Sequence, residues 1–185
     1  MMGDTYMDKE KREWISSLRF VIILVTIVIV VRTFFISPII VEGPSMLPTL
    51  KDRDQMIINK FIYRVSEPKR FDIVVFHASE EEDFIKRVIG LPGEHVAIEN
   101  GKLYINDQEI EEPFLHEYNS RNQRSFRLED LPGSYEKIPE GHVLVLGDNR
   151  NNSKDSRSFG LIKFEDIVGK ASIIYWPPSR IQYVK

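Results

Sequence analysis

From Phe20 to Val31 the chain runs for 12 residues with Thr26 as its one polar position. Trp14, Ile15 and Leu18 extend the apolar character upstream, and Phe34, Phe35 and Ile36 extend it downstream. A helix needs about 20 such residues to cross a bilayer, and the extended stretch reaches that length. Arg19 and Arg32 are the sole charges between Trp14 and Ile40, and each lies near one end, where a long side chain reaches the headgroups. The pattern predicts a transmembrane anchor over 18–37. A buried core helix or a cleaved signal peptide would share the apolar run. The residues after Val31, Arg-Thr-Phe-Phe-Ile-Ser-Pro, offer no small-x-small cleavage site, which argues against removal. Lys9, Lys11, Arg12 and Arg19 precede the run, and no Lys or Arg follows Arg32 until Lys51. That asymmetry makes 1–17 a cytoplasmic tail and 38–185 an extracytoplasmic domain.

Beyond Pro38 the pattern shortens to β-type runs. Asp72 to Phe76 and His142 to Leu146 are brief apolar stretches rich in β-branched residues. His95–Ile98 and Leu103–Ile105 flank Asn100-Gly101, whose positive φ angles suit a type I′ hairpin turn. Asn106-Asp107 offers a second turn toward Ile110. Ile167–Val168 and Ala171–Tyr175 read as two late strands, and Trp176-Pro177-Pro178 must leave the sheet. Between Glu111 and Gly141 the pattern is weak and polar, as expected of a small flexible insertion or flap.

Composition narrows the chemistry. The 185 residues suffice for one domain plus an anchor, and a formal net charge of −3 gives no general electrostatic reason to bind nucleic acid. The absence of cysteine removes disulfides, thiol catalysis and cysteine–zinc sites. His77, His95, His116 and His142 are scattered without a short metal-ligand spacing, so neither a metal nor a cofactor is expected.

Three polar positions stand out. Ser45, in Gly43-Pro44-Ser45-Met46-Leu47-Pro48, lies just beyond the anchor; taken alone it is a turn serine, and as a nucleophile it needs a base. Lys86 interrupts the apolar run Phe84–Gly90. On a strand it shares a face with Phe84 and Val88, and burial can lower a lysine pKa far enough for the amine to act as that base. The plain alternative is an edge-strand lysine that discourages aggregation. Arg87 faces the other way and cannot deprotonate. The loop Gly147–Arg157 follows an apolar strand and alternates acids with arginines around Ser153; it is either a solvated turn or a buried ion-pair frame.

In order along the chain, the segments Gly43–Leu50, Arg70–Phe76, Phe84–Glu94 and Gly147–Arg157 resemble the type I signal peptidases, Ser/Lys-dyad enzymes that remove signal peptides from exported proteins. The resemblance implies a mainly β protein: a signal-peptidase-like fold of coiled antiparallel sheets after one N-terminal transmembrane helix. It implies Ser45 as nucleophile, Lys86 as general base, and Ser153 as the hydroxyl that orients the amine. Asp148, Arg150, Asp155 and Arg157 frame the site, and the Ser45 N–H contributes to the oxyanion hole. Gly43 stands where some members carry a serine that assists that hole. Substrates would be preproteins bearing signal peptides, bound as an extended strand and cut after small residues at −1 and −3, with Met46, Leu50, Phe84 and Ile85 as pocket walls. The implied partners are those preproteins and the lipid bilayer, with no nucleic acid and no metal. Three other readings share parts of the pattern: a self-cleaving repressor-type protease, a silent membrane-tethered binder and a histidine-dependent hydrolase.

Overall fold

The computed structural model describes residues 3–79, 82–115 and 124–184, with side chains described from Trp14 onward. It divides into two compact units, Met1–Ile36 and Ser37–Lys185. The first is helix α1 (Gly3–Phe34). Within it Trp14–Phe34, 21 residues, is long and apolar enough to cross a membrane, three residues short of the predicted end at 37. A helix satisfies every backbone polar group internally, as an apolar medium demands. Thr26 obeys the same rule, donating its hydroxyl back to the Ile22 carbonyl at 2.8 Å. The chain is already extended at Ser37, as the residue before Pro38 prefers.

The second unit is built from antiparallel sheets. The larger, with eight strands among the described residues, has the order β1 (Ile36–Ile40), β2 (Gln55–Asn59), β11 (Ile167–Trp176), β3 (Ile73–His77), β4 (Asp83–Gly90), β9 (His142–Leu146) and β10 (Ile162–Lys163); β12 (Gln182–Tyr183) also pairs with β11. The smaller has the order β7 (Gln108–Ile110), β6 (Lys102–Ile105), β5 (Val96–Glu99) and β8 (Phe126–Arg127). The two turns read from Asn-Gly and Asn-Asp are present. Asn100 and Gly101 have φ of 50° and 79°, and Asn106 and Asp107 have 50° and 66°, so both central residues of each turn are left-handed.

One expectation is corrected. The late strands are one: β11 runs unbroken through Gly169 and Lys170, with register shifts on either side. Gly169 belongs inside it because a Cβ there would lie 2.5 Å from the Asn59 carbonyl, so close approach of β2 requires glycine. The stretch 111–141, expected to be a flap, also carries core residues. Residues 116–123, with His116, lie outside the described residues, but Phe126 joins β8, and Leu128, Leu131 and Ile138 are buried with Ile89, Val96, Ile98 and Leu144. Its apolar residues are too sparse to show a period, yet Phe126, Leu128, Leu131 and Ile138 are spent in the core.

β4 is the central element for function. It lies between β3 and β9 and touches all three clusters of buried side chains: Val88 packs with Val74, Phe76 and Val145, Ile89 with the cluster just described, and Ile85 against Val41, Met46, Leu50 and Ile174. It pairs with β3 from Asp83 to Arg87 but reaches β9 only from Arg87 onward. Its Asp83–Lys86 edge on the β9 side is therefore without a strand partner in the sheet.

Candidate active site

Ser45 sits in a loop closed at its base. Val41 N–H donates to the Asp54 carbonyl and Arg53 N–H returns to the Val41 carbonyl, both at 2.8 Å. Gly43, with φ of +83°, donates its N–H to Asp52 Oδ1 at 2.9 Å. Met46 and Leu50, 1% and 0% exposed, pin the loop to the core. The Ser45 N–H finds no hydrogen-bond partner among the described residues, which leaves it able to donate to a ligand. The Ser45 carbonyl accepts from Asn149 N–H at 3.0 Å.

Lys86 meets that loop. Its Nζ donates to Ser45 Oγ and to the Ile85 carbonyl, each at 2.9 Å. The residue is 4% exposed, and the Phe84 ring lies 5.1 Å from the amine. Burial pulls the amine pKa down from 10.5 to about 8, against the opposing pull of the Asp155 and Asp148 carboxylates. Neither carboxylate is near enough to form an ion pair with it. The neutral amine is thus accessible at mildly alkaline pH, in hydrogen-bond contact with a hydroxyl.

The polar loop after β9 is a buried frame. Asp148 is paired with Arg87, neither side chain having exposed surface: Nε and Nη2 of the guanidinium donate to the two carboxylate oxygens at 2.8 and 2.7 Å. Thr49 Oγ1 donates to the same carboxylate at 2.5 Å, and Arg87 Nη1 reaches the Phe71 carbonyl at 2.9 Å. Asp155 caps the short helix α2 (Ser156–Phe159), accepts Gly147 N–H at 3.0 Å and pairs with Arg157 through two 2.8 Å bonds, so it ties both ends of the loop together. Arg150 donates from Nε to the Gly147 carbonyl at 3.1 Å and pairs with Glu112. Gly147 admits no side chain: a Cβ would lie 2.2 Å from Ser153 Oγ and 2.5 Å from the Ser45 carbonyl.

Not every expected residue takes its expected place. Ser153 does not hydrogen-bond the lysine; its Oγ is buried without a hydrogen-bond partner, while the amine donates to Ser45 and its own strand carbonyl. A cleft of about 380 Å³ runs between Ile40–Met46 and Asp83–Lys86, with Lys154 at its rim. Met46, Phe84 and Ile85 line it. Leu50 does not: it is wholly buried and faces a separate hollow with Phe114 and Tyr183. His77 pairs with Asp83, His95 with Glu129, and His142 with the Glu140 carbonyl. Among the described residues no histidine bonds Ser45 or Lys86, and no His, Asp and Glu cluster is arranged to hold a metal. Glu112, Thr49, Asn149 and Ser156, whose Oγ accepts Val145 N–H at 3.0 Å, were missed. Charge arithmetic held one clue: Arg87, Arg150 and Arg157 surround a loop with two acids, so a third carboxylate had to come from elsewhere.

A hydroxyl bonded to a desolvated primary amine, in a cleft beside an unpaired strand edge of antiparallel sheets, is the arrangement of a Ser/Lys hydrolase. The sequence model of the family described as signal peptidase, peptidase S26, matches residues 12–176. The chain belongs to this family of serine endopeptidases that remove signal peptides. It is 44% identical over 160 residues to signal peptidase I of Bacillus caldolyticus, covering 84% of this chain and 87% of that one. It is 41% identical over 186 residues to signal peptidase IB of Staphylococcus aureus strain MRSA252, covering 96% and 95%. The crystal structure of a signal peptidase I from Enterococcus faecalis V583 superposes with a TM-score of 0.52 at 38% identity, over 57% of this chain and 97% of that one. The long apolar helix fits a membrane-anchored enzyme.

Breaking a buried ion pair leaves one charge uncompensated. Asp148→Asn should therefore destabilise the protein by about 3–5 kcal/mol, read as a lowered urea midpoint by circular dichroism; an unchanged midpoint would show that the pair contributes nothing to the fold.

Proposed function

We propose that Ser45 and Lys86 carry the cleavage, Ser45 as nucleophile and Lys86 as the general base. The observation that supports this most strongly is the 2.9 Å contact between Lys86 Nζ and Ser45 Oγ at an amine whose burial favours the neutral form. In this reading Ser45 Oγ attacks the carbonyl at the cleavage point while its proton passes to the Lys86 nitrogen. The negative oxygen of the tetrahedral intermediate receives a hydrogen bond from the Ser45 N–H. Collapse expels the amine of the mature protein, which takes the proton back from Lys86. The same neutral amine then activates water to release the acyl group from Ser45.

The substrate is a preprotein whose signal peptide lies extended in the cleft, adding main-chain hydrogen bonds along the Asp83–Lys86 edge. Met46, Phe84 and Ile85 present an apolar surface that suits small residues at −1 and −3. The basic residues before the apolar helix support a cytoplasmic N-terminus with residues 38–185 on the outer side. Protease added to intact spheroplasts should then degrade that domain; full protection would reverse the orientation.

Cleavage of a preprotein by the detergent-solubilised chain tests the pair. Ser45→Ala and Lys86→Ala should each lose about 10⁴-fold or more in kcat, as loss of a nucleophile or its base does. Persistent cleavage by Lys86→Ala would move the base elsewhere. The pH dependence follows from the sign of the lysine shift. The amine is active when neutral, so the rate should climb through about pH 8 and level off above it. About one amine in a hundred is neutral two units below the midpoint, so activity at pH 6 should be near one per cent of the plateau. A rate that is flat from pH 6 to 9 would contradict the proposed base.

A further inference from the structure

We propose that Glu112 is a positioning residue for the Ser45–Lys86 pair, acting through Arg150. This rests on the Ser45–Lys86 reading above. Glu112 lies just after β7, in a part of the chain whose sequence shows no catalytic pattern. Its side chain is 6% exposed and that of Arg150 is 0% exposed. Arg150 grips both carboxylate oxygens, Nη1 to Oε2 at 3.1 Å and Nη2 to Oε1. Arg150 cannot shed its charge, so its burial requires a carboxylate. Asp148 is occupied by Arg87 and Thr49, and Asp155 by Arg157 and the Gly147 N–H. Glu112 supplies the carboxylate that the Arg150 guanidinium grips.

From Arg150 the chain of contacts runs to the reacting serine. Arg150 Nε holds the Gly147 carbonyl at 3.1 Å, and Gly147 is packed too tightly against Ser45 and Ser153 to accept a side chain. Asn149, between Gly147 and Arg150 in the loop, donates its N–H to the Ser45 carbonyl at 3.0 Å and its side-chain amide to the Pro44 carbonyl at 3.1 Å. Shifting Arg150 therefore shifts the carbonyls on both sides of the Ser45 Cα. A second contact from the same segment points the same way. The Phe114 ring lies 3.8 Å from the Arg87 guanidinium carbon and meets Phe71 edge-on, covering the Arg87–Asp148 pair. Glu112 and Phe114 together brace the back of the loop whose front holds Ser45.

The test measures kcat and KM for a small-x-small peptide with the full chain in detergent, alongside thermal melts. Displacing a reacting group by about an ångström can cost on the order of a hundredfold in rate. Glu112→Gln should lower kcat about tenfold or more while KM stays within about twofold, well below its melting temperature. Glu112→Asp, which keeps the charge but shortens the reach, should recover part of the loss. Combining Glu112→Gln with Arg150→Gln should cost no more than the worse single change, the mark of residues acting as one unit. A Glu112→Gln chain that melts earlier yet turns over at the wild-type kcat would overturn the proposal, leaving Glu112 a structural brace. Where Glu112→Gln does not fold, Glu112→Asp decides: wild-type kcat overturns the proposal, and a lower kcat at unchanged KM supports it. Failure of the underlying reading shows separately, as cleavage that survives Ser45→Ala.

Discussion

Arg87 and Asp148 meet with no exposed surface where three segments converge: the serine loop through Thr49, the central strand β4, and the loop after β9. Two charges withdrawn from water are tolerable only when each lone pair and each N–H is matched, which fixes the segments to within hydrogen-bond tolerance of one another. Removing either charged partner leaves the other buried without its counter-ion. The pair therefore ties the loop that carries Ser45 to the strand that carries Lys86 without a side-chain hydrogen bond to either.

The neighbouring lysine is treated in the opposite way. Lys86 and Arg87 are adjacent on one strand, and the pleat sends them to opposite faces. Arg87 receives a bidentate carboxylate. Lys86 receives a serine hydroxyl, a backbone carbonyl and an aromatic ring, none of which carries a full negative charge. The same burial that the Arg87 pair withstands, because guanidinium cannot deprotonate, instead lowers the pKa of the lysine. A slip of one residue in the register of β4 would send every side chain to the opposite face, for example placing the guanidinium where the amine now meets Ser45 and Val88 opposite Asp148. The pairing of Val74 with Lys86 and of Arg87 with Leu146 is thus a chemical specification as well as a structural one.

The smaller sheet enters the same network from behind. It buries Ile98, Leu103 and Phe126 against β4 and β9 residues such as Ile89 and Leu146, and the chain leaving β7 carries Glu112 and Phe114 to Arg150 and Arg87. Packing and charge compensation act together here. A carboxylate cannot be delivered to a buried guanidinium unless the surrounding apolar surface excludes water from both.

The sequence by itself determined the local features. The apolar run implied α1 because backbone polarity in lipid leaves few alternatives, Asn100-Gly101 implied its turn because left-handed φ suits few residues, and strand alternation put Lys86 and Arg87 on opposite faces. It also singled out Ser45 and Lys86 as a pair, through the ordered segments that surround them. Tertiary structure alone decided the counter-ions, since Asp148 meets Arg87 across 61 positions and Glu112 meets Arg150 across 38. Nothing in a local pattern records such distances. It also decided that Leu50 is core rather than cleft wall, that the Ser153 hydroxyl packs close to Gly147, and that Gly169 lies inside a strand. Each of these depends on which atoms from remote segments arrive in the same space, which close packing settles only once the whole domain is assembled.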